Sequence, residues 1–214
     1  MKAIAVAAAS LLALAAGAAR AAEPSIKDYP DVTDTSFVEA NGDKVLQLSI
    51  VIPAARQAVW EQVTTTAGYV RWATPMARID FGLGGMIEAS YDSHAKIGDP
   101  DNIKNRIVAY VPGRWMAIQN AQAPADLPNR DAFREIVTMM EFEDSGTGAT
   151  KVTLTAVGYR PTPAFDDLYT HFGWGDAYTL AKLKLSFTKG PIDWKAAEAR
   201  AQAQAAADKV QGKK

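Results

Sequence analysis

The chain has 214 residues with 23 basic and 24 acidic side chains, so its net charge at pH 7 is −1. This balance gives no electrostatic basis for binding nucleic acid, which requires a positively charged surface. Cysteine is absent, which excludes disulfides and thiolate-ligated metals, and the two histidines show no metal-ligand spacing. We therefore expect no metal, no cofactor and no nucleic-acid partner.

The N-terminus has the pattern of a secretory signal peptide. A short positive start is followed by an apolar run over residues 3–16 and then by Ala19-Arg20-Ala21. The run is short for a membrane span, so an uncleaved anchor is the less favoured alternative. We predict cleavage after Ala21, a periplasmic or secreted protein, and no integral membrane segment once residues 1–21 are removed.

The predicted elements begin after an extended leader, residues 22–43, which is polar and contains two prolines. Apolar and polar residues alternate over 44–52, which is typical of a half-buried strand. Two short helices follow, the second over residues 67–74. Six more strands are predicted at 78–81, 86–92, 102–111, 114–121, 135–143 and 150–159. In the last strand, alternation places Val152, Leu154 and Ala156 on one face and Tyr159 on the other.

A long helix over residues 164–188 closes the predicted domain. One apolar row contains Leu168, Phe172, Leu180, Leu183 and Phe187, and a second row contains Trp174, Tyr178, Ala181 and Leu185. A helix that is apolar over this much of its circumference is normally buried against a large surface. The remaining residues, 191–214, form an Ala- and Gln-rich tail that we predict to be helical or disordered.

These elements predict an α+β fold of the helix-grip type over residues 44–190. A curved antiparallel sheet of about seven strands wraps around the long helix, and the two short helices follow the first strand. Side chains do not completely fill the space between a bent sheet and a single helix, so we expect a ligand cavity there.

Five segments in order resemble a known family. They are VWEQVTTTAGYVRW (59–72), GGMIEASYD (84–92), NRIVAYVPGRWMAI (105–118), VTMMEFEDSGTGATKVTLTAVGY (137–159) and GWGDAYTLAKL (173–183). Over residues 44–188 the chain resembles the SRPBCC, or START-like, superfamily, and within it the activator of Hsp-ninety ATPase homologue-like branch. The resemblance implies a helix-grip fold with a hydrophobic pocket. Members bind lipids, hormones or polyketides, and some are cyclases, hydrolases or oxygenase components, so the fold does not select the function.

The candidate ligand-binding residues are mostly aromatic side chains, which provide apolar area together with hydroxyl or indole N–H groups that orient a ligand. They are Trp60, Trp72, Trp115, Tyr159, Phe172, Trp174 and Tyr178. Glu88 and Arg106 on central strands join them. If both face inward they could pair and hold a polar head group, and if both face outward they are surface charges. Alternation alone leaves both orientations open.

Other polar residues have a plainer interpretation. His171 could serve as a general base, but no nucleophile or second base is tied to it, so a partly exposed helix residue is the better interpretation. His94 lies in a loop with several aspartates that lacks metal-ligand spacing. The G-x-G-G at residues 82–85 enters a strand, which favours a bend over a phosphate-binding loop. We assign no catalytic residue.

Three functions remain open from the sequence. The first is binding of a small apolar or amphipathic molecule in the cavity, without catalysis. The second is a cyclase- or hydrolase-like enzyme that uses Glu88, Arg106, Tyr159 or His171. The third is a protein-interaction or chaperone-like module whose partner the sequence does not identify.

Overall fold

The computed structural model describes residues 24–211, with side chains described up to residue 203. The predicted signal peptide lies outside the described residues. Within the described part of the chain, every helix is too short or too polar to cross a membrane.

The described residues form nine strands and five α-helices, in the order strand, helix pair, strands and long helix that the sequence predicts. After a 3₁₀ turn (Ile26–Asp28) they are β1 (Thr33–Asp34), β2 (Phe37–Val38), β3 (Lys44–Ile52), α1 (Arg56–Thr64), α2 (Thr66–Tyr69), β4 (Met76–Asp80), β5 (Met86–Ser90), β6 (Ile103–Val111), β7 (Trp115–Gln122), α3 (Arg130–Phe133), β8 (Val137–Asp144), β9 (Thr150–Tyr159), α4 (Pro163–Thr188) and α5 (Trp194–Gln211). The predicted α+β helix-grip fold is confirmed. The sheet has two more strands than the seven predicted, because the leader contributes β1 and β2.

All strands pair antiparallel in one sheet, in the order β1-β3-β9-β8-β7-β6-β5-β4, with β2 also paired to β3. Cross-strand partners share a face, so the pairing defines rows of side chains across the sheet. One row on the concave face runs through Leu48, Leu154, Met140, Met116 and Tyr110. Residues of this face belong to the main hydrophobic core.

Helix α4 begins with Pro163, a favourable first helical residue, and packs against only part of the concave face. Its closest neighbours in the sheet are β3 and β9, where Leu48 and Leu154 are buried. On β7 and β8, the concave-face residues Ile118 and Met140 are only partly buried. The helix therefore covers β3 and β9 most closely, whereas Ile118 and Met140 keep some accessible apolar surface.

A bulge near the end of β9 reverses one predicted orientation. Ala156 pairs with Leu46 whereas Tyr159 pairs with Lys44, so β9 has one extra residue there. Gly158 has φ of 101° at this point, and a Cβ would lie 2.9 Å from the Glu135 carbonyl oxygen. The bulge turns Tyr159 onto the concave face, where it is 1% exposed. The alternation that predicted the opposite face was wrong because it assumed a regular strand.

The leader and the tail flank α4. Ile26 packs beside Gly173, and the Asp31 carboxylate pairs with Lys184 at 2.9 Å. After α4, the Ile192 amide donates to the Arg71 carbonyl at 2.9 Å. The Ala- and Gln-rich segment forms α5, which begins at Trp194. The leader and the segment just after α4 are thus attached to the surface of the domain.

Candidate functional site

Asp176 lies in the middle of the apolar row of α4 that faces the sheet. Phe172 precedes it by four residues and Leu180 follows it by four, so all three side chains share one helical face. Leu180 is fully buried, whereas Asp176 keeps accessible surface. Among the described residues, no charged or hydrogen-bonding group acts on its carboxylate strongly enough to shift its pKa. An acid therefore stands without a partner where an apolar residue is expected.

The environment of Asp176 combines close packing of protein around the side chain with some accessible surface. Burial among surrounding protein raises the pKa of the Asp176 carboxyl to about 7, although the side chain is only half-buried by accessible surface. The accessible part of the side chain lies on the helix face that is turned towards the sheet. We call the region between this face of α4 and the partly accessible concave residues of β7 and β8 the inner space.

Three tyrosines, Tyr91, Tyr159 and Tyr69, have pKa values that are raised mainly by burial. The pKa of Tyr91 is raised to about 12, mainly by burial and to a smaller extent by Tyr178 and Asp176. Its side chain is nevertheless 45% exposed. Burial first and Asp176 second raise the pKa of Tyr159. Burial and the neighbouring Tyr91 raise the pKa of Tyr69. All three phenols are neutral at physiological pH and can donate hydrogen bonds.

The concave face also carries an unsatisfied amide. Asn120 pairs with Asn105 in the β6–β7 ladder, on the same face as Ile118. The Asn120 Nδ2 group donates to the Lys104 carbonyl, the Asn105 Oδ1 atom and the Gln122 carbonyl. Asn120 is 7% exposed, and its Oδ1 atom is buried without a hydrogen-bond donor. A buried acceptor without a donor is uncommon in proteins and often marks a place where water or a ligand binds.

Aromatic side chains form the apolar walls. The Phe133 ring of α3 stacks on Phe172 of α4 with centroids 4.7 Å apart. The Trp60 ring contacts Phe81 edge-on at 5.5 Å, and Phe81 contacts Tyr110 at 4.9 Å. Apolar walls with a few polar groups are the usual composition of a small-molecule site.

Four of the predicted ligand-binding residues lie on the concave side or in the core. Tyr159 faces the inner space, and Phe172 lies on the inner face of α4. Trp60 and Trp72 belong to the core cluster, and the Trp72 Nε1 group donates to the Gln62 carbonyl at 3.0 Å. Trp60 contacts both Phe81 and Phe142 edge-on, and the indole N–H of Trp72 is already bonded within the protein.

Glu88 and Arg106 both lie on the outer, convex face and do not form the head-group pair that an inward orientation would allow. Glu88 is opposite Lys104 in the ladder, on the face away from the buried Ile87. Its carboxylate accepts from the Gly98 amide at 2.6 Å and the Asn102 amide at 2.7 Å, and it pairs with Lys104 at 3.8 Å. Arg106 is exposed and donates to the Gly84 carbonyl.

Trp115, Trp174 and Tyr178 also face away from the inner space. Trp115 shares an outer row with Glu141 and Thr153. Tyr178 is 41% exposed and contacts Tyr29 of the leader at a centroid distance of 6.1 Å. Trp174 contacts His171 on the same side of α4. The second apolar row of the helix is thus its outer surface, partly covered by the leader.

His171 is a partly exposed helix residue and His94 is a loop residue, as the sequence indicates. Partial burial lowers the pKa of His171, and the residue lies on the outer side of α4 beside Trp174. His94 is exposed and contacts the Asp92 carboxylate at 3.3 Å. Among the described residues, no cluster of three or more acidic or histidine side chains could hold a metal ion.

The Lys182 side chain of α4 is already engaged by protein groups. Its ammonium group donates to the Ala73 carbonyl at 3.0 Å. Three ring centroids lie near the same atom, those of Trp194 at 4.9 Å, Tyr178 at 5.0 Å and Tyr91 at 5.7 Å. Burial lowers the pKa of Lys182 to about 8. This ammonium group shows that the tyrosine rings here can accommodate a cation.

Two surface grooves lie outside the inner space. One, of about 360 Å³, is bordered by Arg56, Gly113, Arg114 and Asp144 at one end of the sheet. The other, of about 420 Å³, lies on the outer face of β1, β3 and β9 beside Lys184. Their volumes are suitable for small ligands, but neither groove combines apolar walls with an unpaired interior charge. We therefore centre the candidate site on Asp176.

Asp176 was not among the residues that the sequence singled out. The signal that could have identified it is the gap in the apolar row: the position between Phe172 and Leu180 is an acid, not an apolar residue. A charged residue at the centre of a buried helix face has no packing role, so it indicates a polar function.

Comparison with known proteins adds the family. The sequence profile of the family described as Activator of Hsp90 ATPase homolog 1-like protein matches residues 53–187. Comparison with curated proteins gave no match.

Solved structures share the fold at low identity. The Aha1 dimer from Colwellia psychrerythraea is 18% identical with a TM-score of 0.53, covering 68% of this chain and 97% of its own. A conserved protein of unknown function, EF2215 from Enterococcus faecalis, is 15% identical with a TM-score of 0.52, covering 85% and 94%. CalU16 from Micromonospora echinospora is 16% identical with a TM-score of 0.51, covering 83% and 96%. At these identities the likeness establishes the fold alone.

Proposed function

Because this chain belongs to the Activator of Hsp90 ATPase homolog 1-like family of SRPBCC proteins, we propose that it binds a small amphipathic molecule in the inner space. The observation that carries the proposal is Asp176, which has accessible surface and no protein partner on the helix face that is turned towards the sheet. The apolar walls supply the binding surface, and Asp176, Tyr91 and Tyr159 orient the polar end of the ligand.

The energetics of Asp176 support a role in binding. A carboxylate in an apolar interior destabilises the folded state unless it has a partner. Phe172 and Leu180 show that apolar residues fit at neighbouring positions of the same face. An unpaired acid at this position therefore lowers stability, and a ligand that donates to it offsets that loss. Residues of this kind are typical of functional sites.

One observation favours an enzyme as the second candidate. Burial brings the pKa of Asp176 to about 7, where a carboxyl group can both donate and accept a proton. Of the four catalytic candidates that the sequence offered, only Tyr159 is influenced by the charge of Asp176. Glu88 and Arg106 lie on the outer face of the sheet, and His171 lies on the outer side of α4. An enzyme of this design would use Asp176 as acid or base and Tyr159 as the orienting hydroxyl.

We also propose that the protein acts outside the cytoplasm, in the periplasm or as a secreted protein. The support is the signal-peptide pattern of residues 1–21. Mass spectrometry of the mature protein in a periplasmic extract tests the assignment. A first residue of Ala22 supports export, whereas an intact N-terminus in the cytosolic fraction contradicts it.

Binding is tested on protein expressed from the full sequence and then examined by native mass spectrometry and solvent extraction. We expect a stoichiometric small molecule, or saturable binding of the neutral apolar fluorophore N-phenyl-1-naphthylamine. The extracted molecule is then incubated with the protein and recovered. Recovery in a chemically altered form would support the enzymatic candidate. An apo mass together with no fluorophore binding would overturn the proposal.

A pair of variants locates the fluorophore. Met140 faces the inner space and Met139, its neighbour in β8, faces the outer side, while both are half-buried. Met140→Trp should fill the inner space and abolish fluorophore binding, whereas Met139→Trp should leave binding unchanged. Equal binding by the two variants would place the fluorophore elsewhere.

A further inference from the structure

We propose that the groove on the outer face of β1, β3 and β9 is a second binding site, and that it binds a neutral saccharide. The groove has a volume of about 420 Å³ and is bordered by Lys184 of α4. It lies on the opposite face of the sheet from the inner space. The inference therefore goes beyond the proposed function and does not depend on it.

A row of three hydroxyl side chains crosses the groove. Strand pairing places Thr33 of β1 opposite Ser49 of β3, and Ser49 opposite Thr153 of β9. All three residues line the groove. Neighbouring strands lie about 4.8 Å apart, so the row spans roughly 10 Å across the sheet. Each hydroxyl group can donate one hydrogen bond and accept two, so the row presents a line of polar groups that serve in both roles.

Ser49 is the residue in this row that points most directly to a ligand. Its side chain is only 8% exposed, yet its hydroxyl group has no hydrogen-bond partner within the described part of the chain. The oxygen is not fully enclosed, because among the described residues only the Asn120 Oδ1 atom is both fully enclosed and without a partner. A nearly buried hydroxyl without a partner is uncommon in proteins and marks a place where water or a ligand group binds.

A second polar row next to Ser49 is held in place by hydrogen bonds. The Thr35 hydroxyl donates to the Gln47 Oε1 atom at 2.9 Å, and the Gln47 Nε2 group donates to the Thr155 hydroxyl at 3.2 Å. Gln47 and Thr35 also line the groove. Because these bonds fix the Gln47 amide before a ligand arrives, less side-chain entropy is lost on binding.

The charges that border the groove balance one another. The Lys184 ammonium pairs with the Asp31 carboxylate at 2.9 Å. Lys151, which also lines the groove, has Glu143 as its cross-strand neighbour in β8. An anionic ligand would meet Asp31 and a cationic ligand would meet the two lysines, so either sign of charge encounters a like charge. A neutral ligand avoids both costs.

The polar groups of the groove match the hydroxyl groups of a sugar. A sugar hydroxyl both donates and accepts, as do the serine and threonine hydroxyls that face it. The Asp31 carboxylate can accept from one sugar hydroxyl while the Lys184 ammonium donates to the next, and bonds to charged groups are the stronger ones. Val51 is 46% exposed and lines the same groove, so it supplies apolar surface for the C–H face of the ring. A wholly apolar ligand would leave these polar groups without partners.

The experiment is an NMR titration of isotope-labelled protein expressed from the full sequence. The neutral probes are cellobiose, maltose and N,N′-diacetylchitobiose, and the charged probes are glucuronate and inorganic phosphate. We expect at least one disaccharide to bind with a dissociation constant of about 1 mM or lower and to shift the amide signals of Thr33, Ser49 and Thr153. The charged probes should bind about tenfold more weakly.

Two outcomes of the wild-type titration would overturn the inference. One is the absence of binding by all three disaccharides, or amide shifts confined to residues outside the groove. The other is tighter binding of glucuronate or phosphate than of every disaccharide, which would identify an anion site. Neither outcome affects the proposed function, which is measured separately by binding of N-phenyl-1-naphthylamine.

Variants of the hydroxyl row give an independent readout. Ser49→Ala and Thr153→Val each remove one hydroxyl group without adding volume, and each should weaken disaccharide binding about tenfold. Thr138→Val is the matched control, since Thr138 is a half-buried strand residue that pairs with Ile118 on the inner face. It should bind disaccharide as wild type does. Unchanged affinity in both groove variants would contradict the assignment. Both should still bind the fluorophore, which shows that they fold.

Discussion

The Asp176 carboxylate on α4 lies within electrostatic reach of the Tyr159 phenol at the end of β9, since after burial it is the largest cause that raises the pKa of Tyr159. The two residues come from the last strand and the last long helix of the domain, which also pack against each other. A phenol and a carboxyl group that share an interior space can hold one polar group between them. The predictions below test this arrangement and its surroundings.

Asp176→Asn should stabilise the protein at neutral pH. The folded-state pKa of Asp176 is raised from 3.8 to about 7, so between those values the folded state keeps a proton that the unfolded state has lost. Wild-type stability must therefore fall as pH rises through this window. At pH 8 the variant should gain less than the roughly 4 kcal/mol that the full pKa difference represents, because accessible surface reduces the effect, and near pH 4 it should gain almost nothing. Urea unfolding of both proteins at several pH values measures the difference, and a gain that is the same at all pH values would contradict it.

Gly158→Ala should destabilise the protein by about 2 kcal/mol or more, because it combines a left-handed backbone with a steric clash. The added Cβ would lie 2.9 Å from the Glu135 carbonyl oxygen. Gly146→Ala in the β8–β9 hairpin is the control, since its φ of 78° is similar but nothing lies within 4 Å of the added atom. Denaturation midpoints of the two variants separate the clash from the backbone strain. Equal losses would show that the bulge at Gly158 tolerates a side chain.

Glu88→Gln should lower stability without affecting ligand binding. Burial raises the pKa of Glu88, but hydrogen bonds from Asn102 and Gly98 outweigh it and, together with Lys104 and Arg78, hold the pKa below its usual value. A lowered folded-state pKa stabilises the protein above the unfolded-state pKa, and this contribution disappears as pH falls through the folded-state pKa. We expect a loss of about 1–2 kcal/mol at pH 7 that vanishes in acid. Thermal melts and fluorophore titration measure the two effects.

Arg106→Ala serves as the comparison for Glu88→Gln, because Arg106 is exposed on the same outer face. Its stability and its fluorophore affinity should both stay close to wild type. A large loss of binding in either variant would mean that the ligand occupies the outer face and not the inner space.

Trp194→Ala should release the start of α5 from the domain. The Trp194 Nε1 group donates to the Val70 carbonyl at 2.6 Å, and its ring lies 4.9 Å from the Lys182 ammonium. We expect a stability loss of about 2 kcal/mol, below the cost of truncating a fully buried tryptophan, and faster proteolysis within residues 195–203. Trp194→Phe keeps an aromatic ring but loses the N–H donor, so it should be intermediate. Identical proteolysis of all three proteins would contradict this attachment.

The sequence alone determined the elements and the family. Alternation identified β3 and the long strands, helical spacing identified α4, and the five ordered segments predicted the helix-grip fold that the structure and the family match confirm. These features depend on residues close together in the chain, where the periods of strand and helix determine which side chains share a face. The same local pattern contained Asp176 as a gap between Phe172 and Leu180.

Only the tertiary structure decided which faces form the site. Glu88, Arg106 and Trp115 lie on the outer side because the register of β5, β6 and β7 is determined by pairing between residues that are distant in sequence. Tyr159 faces inward because a single extra residue at the bulge inverts the alternation. A period-two pattern defines two faces but does not say which one is concave. That choice depends on where α4 packs, and it is what brings Asp176, Tyr91 and Tyr159 together.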